Sequence, residues 1–569
     1  MDCRERILSN DYEDLILDFS LDWGAVLENS EDDFCVIPVN ESYGIVYRHR
    51  DGRGEMALDA RGYRYVPNLY GLMQDDFSTL SLDAVGITAV QRPPLSLTGR
   101  GIIMAFIDTG IDYTDRVFRD SEGNTRILSI WDQTIQTGTP PGGFYYGSEY
   151  SREEIQRALQ SEDPYTIVPS RDELGHGTAM ASVAAGSRVD GGRTFLGAAP
   201  DADIVVVKLK ECKPYLREYY LVADDAPAYG ENDIMLAVKY VLTFLAAFER
   251  PVVLCLGLGS NWGDHTGYAP LSRYLNDTAV RRSMGVVVCG GNEGNAAHHF
   301  QGRLQTGAGG SENYQDVEIR VGEGEKGFFM ELWGSIPDTF QVHIYSPGGE
   351  SVTGALLGLE QSVTYRFIFE RTRVSIYNEL VEESAGEQLI LIRFSEPTAG
   401  IWRVRVTASG TVQSGVFNVW LPITQFLSSE TYFLEATPNI TLTEPSLANN
   451  VITTSAFNDE NNSLYAASGR GFARNNRIKP DIAAPGVNIP TVEGAETGSS
   501  MAASLTAGAA ALFMQWAVLR GNRPYVTSLE IKNYLIRGAS RTPGTIYPNR
   551  EWGYGRLNLA GTFEALAGL

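Results

Sequence analysis

Three residues that could act together as a nucleophile, a base and an orienting acid lie at the ends of predicted elements in this sequence. Ser500 follows Gly498 and Ser499 and opens a long run of small and apolar residues that is typical of a buried helix. Because a helix N-terminus presents unpaired N–H groups, a serine oxygen there lies near donors that could stabilise an oxyanion. The alternative is a serine that only caps the helix. Ser500 taken alone therefore does not indicate catalysis.

Two further residues supply the groups that a serine nucleophile needs. Asp108 follows the apolar run Ile102–Ile107, which is typical of a buried parallel strand, and open α/β sheets carry their chemistry at such strand ends. His176 lies between two glycines at the start of a small-residue helical run, and its ordinary pKa suits a general base near neutrality. A turn aspartate and a structural histidine are the respective alternatives.

Asn292 is the candidate for stabilising negative charge. It follows Gly290-Gly291 at the end of another apolar run, Gly285–Cys289, and its side-chain amide could donate to an oxyanion together with the backbone N–H of Ser500. A turn asparagine with positive φ is the alternative. Because all four residues lie at the ends of elements of one predicted sheet, their combination indicates acyl transfer by an activated hydroxyl.

The elements that must position these residues form an α/β pattern interrupted by a β pattern. Buried strands are predicted at Ile204–Leu209, Pro251–Leu256 and Val451–Ser455, and helices at Ile234–Phe248 and Ser528–Gly538. This alternation predicts a doubly wound parallel sheet. Between about residues 310 and 422 short alternating runs are separated by turn residues, which predicts an inserted antiparallel β-sandwich.

The N-terminal region forms a separate α+β unit in this interpretation. Strands are predicted at Tyr12–Phe19, Phe34–Val39 and Tyr43–Tyr47, and the polar segment Gln74–Ser81 is predicted to be a linker or a processing site near residue 78. The predicted organisation is therefore an N-terminal unit at 1–78, an α/β unit at 79–309 and 431–569, and the sandwich at 310–430.

Composition excludes several classes of function. The chain of 569 residues has a net charge of −24, so nucleic acid and anionic membrane surfaces are poor partners. No sufficiently long apolar run or secretory signal is recognised, so we expect no membrane span and synthesis in the cytoplasm. The five scattered cysteines support neither a disulfide framework nor a zinc site. Adjacent His298 and His299 are predicted to lie on a loop surface, because neighbouring side chains point apart.

The blocks around these residues resemble those of the subtilisin-like serine proteases. They are Ala105–Asp112, Gly175–Thr178, Gly291–Gly294 and Gly498–Ala502, in the order Asp, His, Ser. The resemblance implies that Asp108, His176 and Ser500 form a catalytic triad and that Asn292 is the oxyanion donor. It also implies that Gly257, Leu258 and Gly259 pair with the substrate backbone, and that Gly290 and Gly291 line the side-chain pocket before the cleaved bond.

The resemblance also implies roles for the N-terminal unit and for the inserted sandwich. It implies that the N-terminal unit is a propeptide that acts as chaperone and inhibitor. An inserted sandwich of the jelly-roll type and a retained propeptide are similar to the clostridial spore-germination proteases of the Csp type. The implied substrate is the pro-form of a cortex-lytic enzyme, and the implied location is the spore. No cofactor is expected, and no metal, since the loop at 187–193 offers one carboxylate beside two arginines.

Two alternatives to a processing protease remain. A catalytically silent scaffold, such as a pseudoprotease that senses a germinant, would keep the same fold. A general scavenging protease would keep the same chemistry.

Overall fold

The computed structural model describes residues 2–19, 34–50, 64–73, 75–76, 82–189, 195–354 and 360–568. The helices are α1 Cys3–Leu8, α2 Ile87–Gln91, α3 Arg152–Leu159, α4 His176–Ala185, α5 Pro214–Tyr220, α6 Glu231–Phe248, α7 Pro270–Ala279, α8 Ser499–Met514, α9 Ser528–Gly538 and α10 Leu559–Ala567. Short 3₁₀ turns cover Arg116–Phe118, Pro164–Thr166 and Thr424–Phe426, and a π-helical turn, Gln515–Leu519, extends α8.

The strands fall into three units. The N-terminal unit contains β1 Tyr12–Asp18, β2 Phe34–Pro38, β3 Tyr43–His49, β4 Arg64–Tyr65, β5 Leu69–Leu72 and β6 Asp75–Asp76. The α/β unit contains β7 Ile103–Asp108, β8 Ile127–Asp132, β9 Ser148–Ser151, β10 Asp203–Lys208, β11 Tyr229–Gly230, β12 Val252–Leu256, β13 Leu258–Gly259 and β14 Met284–Cys289.

The inserted unit contains β15 His299–Arg303, β16 Gly307–Ala308, β17 Tyr314–Val321, β18 Gly327–Gly334, β19 Thr339–Tyr345, β20 Ser351–Gly354, β21 Glu360–Arg366, β22 Arg373–Glu379, β23 Gln388–Ser395, β24 Gly400–Ser409, β25 Thr411–Val412, β26 Val416–Trp420 and β27 Tyr432–Phe433. The α/β unit then resumes with β28 Ile452–Asn458, β29 Ser463–Leu464, β30 Ile482–Pro485, β31 Ile489–Thr491 and β32 Gly494–Thr497.

A nine-stranded sheet is the centre of the α/β unit. Its order is β29-β28-β14-β12-β7-β10-β8-β9, and β30 pairs with β28. The strands from β28 to β8 are parallel, whereas β9 and β29 are antiparallel edges. All residues of β7, β12 and β14 are buried, which explains their continuous apolar sequences. The predicted α/β class is confirmed.

Helix α8 is the core helix of this unit. Every residue from Ser499 to Met514 is buried. The stretch Ser499–Leu519 is the one helix in the described part of the chain that is long and apolar enough to cross a membrane, and 78% of its apolar 18-residue window is buried inside the protein. Such burial is typical of a helix in a protein core.

The inserted unit consists of two antiparallel sheets around their own apolar core. The sheets have the orders β15-β26-β18-β23-β22-β21 and β20-β19-β24-β17-β27. Between them lie buried residues that include Phe328, Trp402 and Phe417. Because β15 already pairs with β26, the unit begins before the predicted boundary at residue 310.

The N-terminal unit is an antiparallel sheet that packs on the α/β unit. Its order is β2-β3-β1-β4, and Ile16 and Ile45 share an apolar cluster with Val238 and Val241 of α6. A disulfide joins Cys3 in α1 to Cys35 in β2, although the scattered cysteines of the sequence support no disulfide framework. Packing of α1 on the sheet brings together two cysteines that are 32 residues apart, a proximity that their sequence spacing does not indicate.

Candidate active site

Asp108 and His176 form the first pair of the site. Asp108 ends β7, and its Oδ1 lies 2.7 Å from Nδ1 of His176, the first residue of α4. Oδ1 also accepts the backbone N–H of Thr109 at 2.8 Å. Both side chains are buried. The carboxylate therefore fixes the orientation of the ring and leaves Nε2 as the atom that can exchange a proton.

The glycines beside His176 allow this close approach. Gly175 has a φ of 76° at the start of α4, a conformation that favours glycine. A Cβ on Gly177 would lie 2.3 Å from the carbonyl oxygen of Gly110 and 3.2 Å from Cβ of Asp108. The first turn of α4 can therefore pack against the end of β7 only because residue 177 has no side chain.

The charges around His176 favour its protonated form. Burial alone would lower the pKa of His176, but the carboxylates of Asp108, Asp172 and Glu496 outweigh it and raise the pKa above its ordinary value. Nε2 is buried and has no hydrogen-bond partner in the described part of the chain. The ring is thus arranged to accept a proton at Nε2 and to be stabilised as an imidazolium by Asp108.

Ser500 lies in the first turn of α8 and contacts the N-terminal unit. Its side chain is fully buried, and its Oγ donates a hydrogen bond to the carbonyl oxygen of Met73 at 2.7 Å. The hydroxyl is directed at that carbonyl and forms no hydrogen bond with His176. Met73 immediately follows β5, so a peptide carbonyl of the same chain lies against the candidate nucleophile.

Asn292 lies beside the same carbonyl. Its Oδ1 accepts the backbone N–H of Ser499 at 3.0 Å, which leaves the Nδ2 amide buried and without a partner among the described residues. A Cβ on Gly498 would lie 2.2 Å from the Met73 oxygen and 3.2 Å from Asn292 Nδ2. Both atoms therefore border the space above Gly498, whose φ of 151° also requires glycine.

The chain before Met73 lies in a groove as the middle strand of a small sheet. β5 pairs antiparallel with β11 on one edge and with β13 on the other. Leu258 opposes Leu72, Gly259 opposes Gly71, and the carbonyl of Gly257 accepts the N–H of Met73 at 3.3 Å. The predicted backbone-pairing residues thus hold a strand whose end reaches Ser500.

Gly290 and Gly291 lie at the end of β14, next to Thr443, a residue that the sequence analysis did not indicate. The carbonyl of Gly290 accepts the N–H of Thr443 at 3.2 Å. A Cβ on Gly291 or on Gly259 would lie 2.6 or 2.3 Å from the Thr443 side chain. Thr443 follows the insertion and belongs to no motif, so only the folded chain brings it to these glycines.

Residues 99–318 and 388–555 match the family described as the subtilase family. The chain belongs to the subtilase family. This subtilase is 24% identical over 479 residues to the subtilisin-like protease SBT1.2 of Arabidopsis thaliana, covering 76% of this chain and 56% of that protein. It is 27% identical over 282 residues to SBT3.6 of the same plant, covering 44% of this chain and 34% of that protein. The chain therefore spans about half or less of the length of these relatives.

A solved structure resembles this subtilase over most of its length. The structure of the Clostridium perfringens CspB protease is 32% identical to it, with a TM-score of 0.75, and covers 86% of this chain and 99% of that chain. The predicted resemblance to subtilisin-like and Csp-type proteases is thereby confirmed.

The prediction for His298 and His299 of this subtilase was wrong. Both rings are buried. His298 Nδ1 lies 2.7 Å from Glu293 and its Nε2 lies 3.1 Å from the carbonyl of Thr431, whereas His299 contacts the Asn439 carbonyl and the Asn418 side chain. The two rings point apart as expected, but the insertion covers both of them.

Glu293 is a second residue that the sequence analysis did not assign. It follows Asn292, and its carboxylate accepts the N–H of Thr424 at 3.1 Å and the hydroxyl of Thr424 at 3.2 Å. The loop that carries Asn292 is therefore attached to the segment that returns from the inserted unit. No group of three or more candidate metal ligands is found within the described ranges. Residues 190–193 of the loop considered for calcium lie outside them.

Proposed function

We propose that this subtilase is a serine endopeptidase that cleaves its own chain after Met73. The observation that carries the proposal is the 2.7 Å hydrogen bond from Ser500 Oγ to the Met73 carbonyl oxygen. It is supported by the pairing of β5 with β13 in the manner of a bound peptide.

The reaction follows from the groups around this carbonyl. Ser500 Oγ attacks the carbonyl carbon of Met73 while Nε2 of His176 accepts the hydroxyl proton, and Asp108 stabilises the resulting imidazolium. The oxyanion accepts hydrogen bonds from Asn292 Nδ2 and from the backbone of Ser500. His176 then donates its proton to the departing amine, and water hydrolyses the acyl-enzyme to regenerate Ser500.

The N-terminal unit acts as a propeptide in this proposal. Its sheet packs on α6, and β5 fills the groove that a substrate would occupy. Cleavage after residue 73 lies just before the segment 74–81 that the sequence predicts as the processing site, and residues 74 and 77–81 of that segment lie outside the described residues. The released carboxylate at Met73 would still lie in the groove, so the cleaved unit inhibits until it dissociates.

The test is the fate of the chain on maturation. Wild-type protein should give two fragments on a denaturing gel, and N-terminal sequencing of the larger one should begin at Gln74. Ser500→Ala removes the nucleophile and should leave one uncut chain. Thr506→Ala is the matched control, because it removes another buried hydroxyl of α8, one bonded to the Ala502 carbonyl at 2.9 Å, and it should be cleaved as wild type is.

Two results would contradict the proposal. A Ser500→Ala chain that is cut at the same bond would assign the cleavage to another protease. A folded wild-type chain that stays uncut and does not react with a fluorophosphonate probe would favour the alternative of a silent scaffold that senses a germinant.

For the physiological substrate we propose the pro-form of a cortex-lytic enzyme, with the protein associated with the spore. This proposal rests on the resemblance to the Csp-type proteases. Incubating the processed protein with a purified pro-form should give one defined cut that Ser500→Ala does not make. Many cuts in unrelated unfolded proteins, without cleavage of the pro-form, would favour the general scavenging protease.

A further inference from the structure

Gly71 lies two residues before Met73 in the groove. Its backbone opposes Gly259 of β13, and it is not among the described residues with positive φ. Its conformation is therefore open to any residue type, and any requirement for glycine at this position must come from the surrounding space.

The space above Gly71 is filled by residues 421–426, the segment that returns from the inserted unit. A Cβ on Gly71 would lie 2.6 Å from Cδ1 of Ile423, 2.9 Å from Cδ of Gln425 and 3.1 Å from its Nε2. Contacts this short force the neighbouring side chains to move. Even one added methyl group would therefore have to displace Ile423 and Gln425.

Neither side chain is placed to move freely. Ile423 is 1% exposed and belongs to the main apolar core. The Gln425 side-chain amide donates a hydrogen bond to the carbonyl oxygen of Leu72. Displacing Gln425 would therefore break a contact with the strand that occupies the groove, and displacing Ile423 would disturb a close-packed core.

The backbone of the segment is also attached on several sides. The Leu421 carbonyl accepts the Asn261 side-chain amide at 3.1 Å. The N–H of Thr424 is bonded to Glu293 beside the oxyanion residue. The Phe426 carbonyl accepts the N–H of Ala223 at 2.9 Å. These contacts join the segment to three separate loops of the α/β unit, so it is a fixed wall of the groove.

We propose that Ile423 and Gln425 make the subsite for the third residue before the cleaved bond selective for glycine. The substrate class is then a polypeptide with glycine two residues before the residue whose carbonyl Ser500 attacks, as in Gly71-Leu72-Met73. The inference rests on the proposed function, because it treats β5 as a bound substrate. It assigns a role in substrate specificity to the segment that returns from the inserted unit.

The first test is self-cleavage of the full chain. Gly71→Ala should slow the appearance of the Gln74 fragment by about tenfold or more, as expected for a methyl group added to a filled site. Ile423→Val deletes only Cδ1, the nearest atom, and in combination with Gly71→Ala should restore much of the rate. Gly142→Ala is the matched control, because no atom lies within 4 Å of a Cβ there.

The second test does not depend on catalysis. In the uncut Ser500→Ala chain, Gly71→Ala should lower the melting temperature and Ile423→Val should reverse that shift. The proposal is overturned if Gly71→Ala is cleaved as fast as the control, or if Ile423→Val restores neither the rate nor the melting temperature. If wild type is not cleaved at all, the proposed function fails. The melting temperatures would still show whether Ile423 and Gln425 leave no room for a side chain at residue 71.

Discussion

The buried ion pair between Asp14 and Lys213 allows a quantitative prediction about the N-terminal unit. Asp14 lies in the middle of β1 and is 1% exposed. Its Oδ1 accepts a hydrogen bond from Lys213 Nζ at 2.6 Å, and its Oδ2 accepts one from the Asn232 amide at 3.2 Å. The pair therefore joins the N-terminal sheet to the α/β unit in a site without access to water.

Each partner depends on the other for its charge. Burial raises the pKa of Asp14 against the opposing effect of Lys213. Burial lowers the pKa of Lys213 against the opposing effect of Asp14. Asp14→Ala would leave the ammonium group of Lys213 without its carboxylate partner, although it would still donate to the backbone carbonyls of Arg6 and Tyr12 and lie over the Tyr47 ring. Removing one partner of a buried pair costs about 3–5 kcal/mol, which corresponds to association that is weaker by roughly 10² to several 10³-fold.

The assay follows the cleaved N-terminal unit. After self-cleavage, wild type should retain the fragment on size-exclusion chromatography, whereas Asp14→Ala should lose it during the run. In the uncut Ser500→Ala chain the same change should lower the free energy of unfolding. The double variant Asp14→Ala/Lys213→Met should recover part of the loss, because it leaves no buried unpaired charge. Retention of the Asp14→Ala fragment at wild-type level would refute the reasoning.

Three further predictions concern the site and its surroundings. Asn292→Ala should leave the chain folded but slow self-cleavage by about 10²–10³-fold, measured as the rate of fragment formation, because it removes one oxyanion donor. Glu496→Gln should move the acid limb of the pH–rate profile to lower pH, because the Glu496 charge helps to raise the pKa of His176. Protonated His176 cannot accept the Ser500 proton, so the rate falls below that pKa. An unchanged profile would contradict this explanation. Burial raises the pKa of Glu231 to about 7, so the folded protein binds a proton that the unfolded chain releases near its ordinary pKa. The free energy of unfolding should therefore fall as pH rises between about 4.5 and 7, and urea titrations should find this dependence reduced in Glu231→Gln.

The sequence indicated the α/β fold because the residue patterns of its strands and helices are local along the chain. A parallel strand buried on both faces must be apolar throughout, as in β7 and β12, and the helix that begins beside Ser500 must be built of small residues to pack at the centre of the sheet. The motifs around Asp108, His176 and Asn292 were visible for a related reason. Close backbone approach requires glycine beside these residues, as at Gly177, and a glycine next to a polar residue at the end of an apolar run can be recognised in the sequence.

Other features depend on contacts between distant parts of the chain. Nothing near Met73 indicates that its carbonyl meets a serine 427 residues later, because that contact forms only when β5 enters the groove between β11 and β13. Burial of His298 and His299 and the side chains over Gly71 likewise arise where separate units pack together. The Cys3–Cys35 disulfide forms within the N-terminal unit, where packing of α1 on the sheet joins residues that are distant in sequence. Side-chain patterns report which face of an element is buried but not which element covers it. The sequence therefore determined the α/β scaffold and its candidate catalytic residues, whereas only the tertiary structure decided which peptide bond lies against Ser500 and what surrounds it.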